Sequence, residues 1–126
     1  MTKHILVVDD NLLNCEMLRL VLMRADIIAE IATNGADALR MFYENPPLLV
    51  ITDLYMPRMM GPDGVGIIRR IKTDRKHRHI PVIALTAVSN FEVERAARDA
   101  GCDWFMPKPF KPAELISIVQ SLLVGA

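Results

Sequence analysis

The sequence predicts an α/β domain built on a doubly wound parallel sheet. Three observations carry that expectation. Short, β-branched apolar runs recur along the chain, each followed by a longer stretch of helical character. The runs are too apolar for one face to meet water, so the sheet needs helices on both sides. No linker, internal repeat or low-complexity stretch interrupts the alternation, and 126 residues suit one domain with a real core and no staples.

The elements follow in order. Ile5-Leu6-Val7-Val8 is the first strand and stops at Asp9-Asp10. Residues 12–25 carry apolar side chains too densely for a strand and over too great a length, which predicts a largely buried helix. Residues 27–32 form a weaker second strand, interrupted by Glu30. Thr33-Asn34-Gly35 supplies a turn and a cap for a helix running to about Glu44. Asn45-Pro46-Pro47 breaks that helix, and Leu48-Leu49-Val50-Ile51-Thr52 is the strongest strand signal, ending at Asp53.

A loop rich in Pro, Gly and Met covers residues 55–64 and leads into a helix over residues 65–74. Residues 80–86 are a fourth buried strand. Ser89-Asn90-Phe91-Glu92 has capping-box spacing and opens a helix that Gly101 closes. Trp104-Phe105-Met106 is a short fifth strand. Pro112 starts the last helix, with apolar residues at Leu115, Ile116, Val119, Leu122 and Leu123.

Bulk properties narrow the function. Fifteen Lys and Arg balance fifteen Asp and Glu, so there is no electrostatic case for direct nucleic-acid or membrane-surface binding. Cys15 and Cys102 stand in no metal-ligand spacing and read as reduced, mostly buried thiols. No apolar run reaches membrane-spanning length, and Met-Thr-Lys-His leads into a strand without a signal peptide, so the expected address is cytoplasmic.

Ligands of such folds bind outside the carboxyl ends of the strands. Those ends carry Asp9 and Asp10 after the first strand, Asp53 after the third, Thr86 after the fourth and Lys108 after the fifth. Three clustered carboxylates repel one another unless a cation compensates. Mg²⁺ does so with a few carboxylates and several waters, and it readily adds a phosphate oxygen. Lys108 brings a further positive charge and Thr86 a hydrogen-bond donor, which together suit phosphoryl transfer. Asp53 then acts as the nucleophile and becomes an aspartyl phosphate. Singly, each residue has an ordinary explanation. Asp9 or Asp10 reads as a helix cap, Lys108 as a solvated charge and Thr86 as a strand residue. The set, at four strand ends, is harder to explain that way. His77-Arg78-His79 lies in a basic loop, residues 72–79, and reads as a solvated turn rather than a metal site.

From Ile5 to the last helix, the sequence resembles the receiver domain of bacterial two-component response regulators. The motifs are Val7-Val8-Asp9-Asp10-Asn11, Asp53-Leu54-Tyr55-Met56-Pro57, Leu85-Thr86-Ala87 and Lys108-Pro109-Phe110. Asp10, Asp53, Thr86 and Lys108 follow one another at intervals of 43, 33 and 22 residues. The resemblance implies a flavodoxin-like (β/α)5 fold with strand order 2-1-3-4-5, one receiver domain over residues 1–126 and no output domain. It implies Asp53 as the phosphoacceptor. It also implies Mg²⁺ held by Asp10, by Asp9 through water, by Asp53 and by the backbone carbonyl of Tyr55. Lys108 would pair with the phosphoryl group, and the Lys108-Pro109 bond would be cis.

In such domains the Thr86 hydroxyl moves toward the phosphate and an aromatic on the fifth strand, here Phe105, rotates into the vacated space. By position alone Phe105 reads as plain core. The readout surface would be helix four, strand five and helix five. The implied partners are a histidine kinase or a histidine phosphotransfer protein and an unidentified downstream protein. The protein would be no enzyme, but a phosphoacceptor that assists its own phosphorylation and slow autodephosphorylation.

The chain departs from the family after Asp53. It reaches Asp63-Gly64 about three residues late, which implies an insertion near residues 60–62. Met59 and Met60 there either meet a partner or tuck back onto the domain. Tyr55 and Val88 flank the site, and their bulk is expected to slow hydrolysis of the phosphoryl group. A flavodoxin-type cofactor binder would need a Ser/Thr/Gly-rich cradle where Asp9-Asp10 stand. An aspartate-nucleophile phosphohydrolase would carry a second acid where Tyr55 stands, and a cap domain. The remaining alternative is a receiver-like protein-binding module acting without phosphorylation, against which the intact site set argues.

Overall fold

Successive residues of a strand point to opposite faces of a sheet, and here both sets are apolar and buried. The computed structural model describes residues 3–56, 61–87 and 90–125. Strands β1 (Ile5–Val8), β2 (Ala29–Ala32), β3 (Leu49–Asp53), β4 (Val82–Thr86) and β5 (Trp104–Pro107) alternate with α1 (Leu12–Met23), α2 (Gly35–Glu44), α3 (Gly64–Lys72), α4 (Phe91–Ala100) and α5 (Pro112–Gly125). All strand pairs are parallel, in the order β2-β1-β3-β4-β5. This is the predicted doubly wound sheet with the predicted order.

The alternation sorts the core into two layers. Leu6, Val8, Val50, Val82, Ala84 and Phe105 face α2, α3 and α4. Ile5, Val7, Leu49, Ile51, Ile83 and Leu85 face α1 and α5. Each fully buried aliphatic side chain stabilises the fold by about 1.5–3 kcal/mol relative to exposure.

Four helices begin alike. Asn11, Asn34, Asp63 and Asn90 take extended backbone, and each side-chain oxygen accepts the amide three residues on, at 3.1, 2.7, 2.9 and 2.9 Å. Such a cap contributes about 1 kcal/mol. Asn11, not Asp9 or Asp10, therefore caps α1, which leaves both carboxylates for other work. Asn90 caps α4; Ser89 lies outside the described residues. Gly101 closes α4 in the left-handed region at φ 107°, as expected of a C-terminal glycine.

Two expectations are corrected. Residues 12–25 do not form a largely buried helix: α1 ends at Met23 and buries Cys15, Leu18 and Leu22, while Leu13, Met17, Leu20 and Met23 are exposed. Apolar residues on both faces hid which one packs. Residues 75–79 form the expected turn with Arg78 and His79 exposed, but His77 does not share their solvation. It is buried, pairs with Asp74 at 2.9 Å and stands edge-on to Phe42 and Tyr43 at 5.2 and 5.4 Å. β2 and β4 are also shorter than expected, starting at Ala29 and Val82. No helix among the described residues is long and apolar enough to cross a membrane.

Candidate functional site

Parallel register decides where the strand ends fall. Val8 lies opposite Thr52, Asp53 opposite Leu85, and Thr86 opposite Pro107. The residues just beyond therefore gather at one edge. One carboxylate oxygen from each of Asp9, Asp10 and Asp53 lies within 4.8 Å of the other two. Asp9 is buried, Asp53 half-buried and Asp10 exposed.

Asp9 is held from several sides. Its Oδ1 accepts the Asn11 amide at 2.9 Å, and its Oδ2 accepts from Asn14 Nδ2 at 3.4 Å and from Lys108 Nζ at 3.1 Å. The Cys15 thiol donates to the Asp9 carbonyl at 3.3 Å, and burial pushes that thiol up to about 12, so it stays protonated. Asn14 and Cys15 were not legible as site residues. Their one signal is helical spacing from Asp9 on the turn that follows the acidic pair.

Lys108 also reaches Asp53, with Nζ 3.4 Å from Oδ2. The Thr86 carbonyl accepts the Lys108 amide at 2.8 Å, which fixes the end of β5 beside β4. The Lys108–Pro109 peptide bond is cis. Burial works against the ammonium, but Asp53 and Asp9 outweigh it and hold its pKa above the ordinary lysine value. Burial also pushes the Asp53 carboxyl above the ordinary carboxylate range; Lys108 opposes this and Asp9 adds to it. Ionised Asp53 is thus short of positive charge even with Lys108 beside it. A hard divalent cation bound by oxygen fits that deficit and this donor set, which holds no thiolate or imidazole.

Thr86 is fully buried at the end of β4, and Phe105 is buried on the α4 side of the sheet. Tyr55 is exposed, and its amide lies 3.4 Å from Asp53 Oδ1. Val88, Met59 and Met60, singled out in the sequence, lie outside the described residues.

Glycine supplies a feature that the sequence reading did not exploit. A Cβ on Gly64 would stand 1.9 Å from the Asp53 carbonyl oxygen and 2.6 Å from Leu54 Cα. The first turn of α3 thus rests directly on the backbone that carries Asp53. The loop that leads into α3 has its own seat. A Cβ on Gly35 would stand 1.9 Å from the Pro62 carbonyl oxygen, and Gly61 takes φ 89° against Ala36. The Asp63-Gly64 pair was the available signal for the first contact; nothing local announced the second.

The response regulator receiver domain model matches residues 5–120. The polar-differentiation response regulator DivK of Brucella abortus (strain S19) is 31% identical over 126 residues, covering both chains in full. A hybrid signal transduction histidine kinase M of Dictyostelium discoideum is 33% identical over 121 residues, of which this chain spans only 5% of the length. The solved receiver domain of a signal transduction histidine kinase from Syntrophus aciditrophicus superposes with a TM-score of 0.89 at 34% identity, covering 99% of this chain and 92% of that one. Receiver domains serve two-component signalling, in which they interact with histidine kinases and downstream effectors. With the family model matching from β1 into α5, the chain belongs to the response regulator receiver domain family.

Proposed function

We propose that the protein takes a phosphoryl group on Asp53 from a phosphohistidine donor, with Mg²⁺, and passes the signal to a partner protein. The observation that supports this best is the convergence of Lys108 Nζ on Asp53 and Asp9, at 3.4 and 3.1 Å, beside the exposed carboxylate of Asp10.

An Asp53 carboxylate oxygen attacks phosphorus, the bond from phosphorus to the donor imidazole breaks, and the freed imidazole nitrogen takes up a proton. The product is an aspartyl phosphate with roughly one more unit of negative charge than the carboxylate it replaces. Asp10 and Asp53, Asp9 through water, and the Tyr55 carbonyl are the residues that would hold Mg²⁺. When bound, the ion supplies Lewis-acid neutralisation of phosphoryl oxygens. Lys108 is in reach to follow the new charge. Asn11 and Asn14 keep the Asp9 carboxylate oriented while it shares Lys108 with Asp53.

The Thr86 hydroxyl then turns toward the phosphoryl oxygens, and Phe105 moves into the space it leaves. That movement alters α4, β5 and α5, where Phe91 and Trp104 already stand exposed. This is a two-state element biased by one added charge cluster. The donor is a histidine kinase or histidine phosphotransfer protein in the cytoplasm, and the readout passes to a downstream partner protein.

The test is intact mass after incubation with acetyl phosphate and Mg²⁺, alongside Asp53→Asn and an EDTA control. One added phosphoryl group, lost in the variant and in EDTA, is the expected result. An adduct that persists in Asp53→Asn removes the assignment.

A further inference from the structure

On α1, α2 and α4 the cations Arg19, Arg40, Arg95 and Arg98 are each answered by a carboxylate one helical turn away, as in Arg98–Glu94 at 2.9 Å and Arg40–Glu44 at 3.4 Å. The stretch from the last turn of α3 to the start of β4 breaks that pattern. Residues 69–79 hold six Lys and Arg against one carboxylate, Asp74. Their local charge of +5 leaves the rest of this neutral chain at −5. Arg69, Arg70, Arg75, Lys76 and Arg78 are all exposed, and among the described residues none of the five makes an ion pair.

The segment is a fixed frame. Asp74 is used up inside it: its carboxylate accepts the Lys76 amide at 2.9 Å and meets His77 Nδ1 at 2.9 Å. His77 holds the Asp74 carboxyl below the ordinary range, so it stays ionised and engaged. Lys72 is engaged too. Its Nζ donates to the carbonyls of Arg78 and Ile80, at 3.1 and 2.7 Å, and pairs with Asp103 at 2.7 Å. With His77 buried beneath, the loop presents Arg75, Lys76 and Arg78 from a backbone already ordered, which lowers the entropy cost of binding. Cations at a helix C-terminus are favoured by the helix dipole, which accounts for Arg69 and Arg70. It does not account for the three that follow in the loop.

We propose that this patch docks an acidic segment of a partner protein, a short run of Asp and Glu side chains. Four of the five cations are Arg, whose planar fork suits carboxylates in bidentate pairs. A long polyanion such as nucleic acid, or a charged membrane, would extend onto the remaining surface with its net charge of −5 and be repelled there. A short peptide meets only the patch. Helices run back from the acid edge of a parallel sheet, so the end of α3 lies at the opposite edge from Asp53. A partner held there leaves Asp53 open to its donor, and the proposal does not depend on phosphorylation.

The test is fluorescence anisotropy with a labelled decaglutamate peptide, without any phosphoryl donor. The wild type is expected to bind, with affinity falling between about 50 and 300 mM salt as screening grows. Arg75→Glu/Arg78→Glu is expected to bind about tenfold more weakly or worse, with an unchanged melting temperature because both side chains are exposed. Arg69→Gln/Arg70→Gln provides a second, gentler reading of the same loss. Equal binding by wild type and both variants, no binding at low salt, or tighter binding to a decathymidylate or to phosphatidylserine vesicles would each overturn the proposal.

Discussion

Lys108 Nζ lies 3.4 Å from Asp53 Oδ2, joining residues 55 positions apart in sequence, while its second contact reaches Asp9. One ammonium thus serves two carboxylates whose side chains are 13% and 3% exposed. Lys108→Ala leaves both without a counter-charge. The expected cost in chelator at neutral pH is about 1–3 kcal/mol, below the full value for a buried pair because Lys108 keeps some solvent contact. Urea unfolding of the variant against wild type measures it.

Asp53 gives a pH dependence with a definite sign. Its folded pKa is raised, so its contribution to stability is present at low pH and is lost as pH rises through the folded value. Asp53→Asn cannot suffer that loss and keeps the Asp9–Lys108 contact. In EDTA the variant is expected to be more stable than wild type at pH 7, with the gap closing as pH falls below the ordinary carboxylate range. Denaturant midpoints at several pH values check this.

Magnesium should act in the opposite direction on the wild type. A ligand of the folded state at ten times its Kd stabilises by about 1.4 kcal/mol, or roughly 5 °C in a domain of this size. Thermal melts with Mg²⁺ are expected to show that rise, and Asp10→Asn to show little of it.

Gly64 offers a test of positioning. Gly64→Ala forces a methyl group against the Asp53 carbonyl, at an expected cost of about 1–3 kcal/mol. Phosphoryl uptake should fall further than in Leu122→Ala, a core change in α5 away from the acid edge. Uptake equal in the two variants at matched stability would leave Gly64 a packing residue only.

The fold was legible because β-branched runs and their stops announce strands, and parallel connection does the rest. The candidate site was legible because its members stand at the last residue of a strand or just beyond it: Asp9 and Asp10, Asp53, Thr86 and Lys108. What escaped was decided in three dimensions. The apolar excess on α1 hid Leu13 and Met17 on the solvent side. His77 looked like its basic neighbours until Phe42 and Tyr43 packed against it. The seat of the loop before α3 depends on Gly35 meeting Pro62, 27 positions on, which no local pattern encodes. The cation cluster after α3 was visible as a charge run, but its freedom from carboxylates follows from where Asp74 and Asp103 are spent.

The most direct measurement is to map the phosphoryl group. After reaction with acetyl phosphate and Mg²⁺, borohydride reduces an acyl phosphate to the alcohol, turning a modified aspartate into homoserine that peptide mass spectrometry can place. Homoserine at position 53, and at neither Asp9 nor Asp10, is the expected result. Homoserine at Asp9 or Asp10, or an unaltered Asp53 in protein that has gained phosphoryl mass, would contradict the assignment of Asp53 as the acceptor.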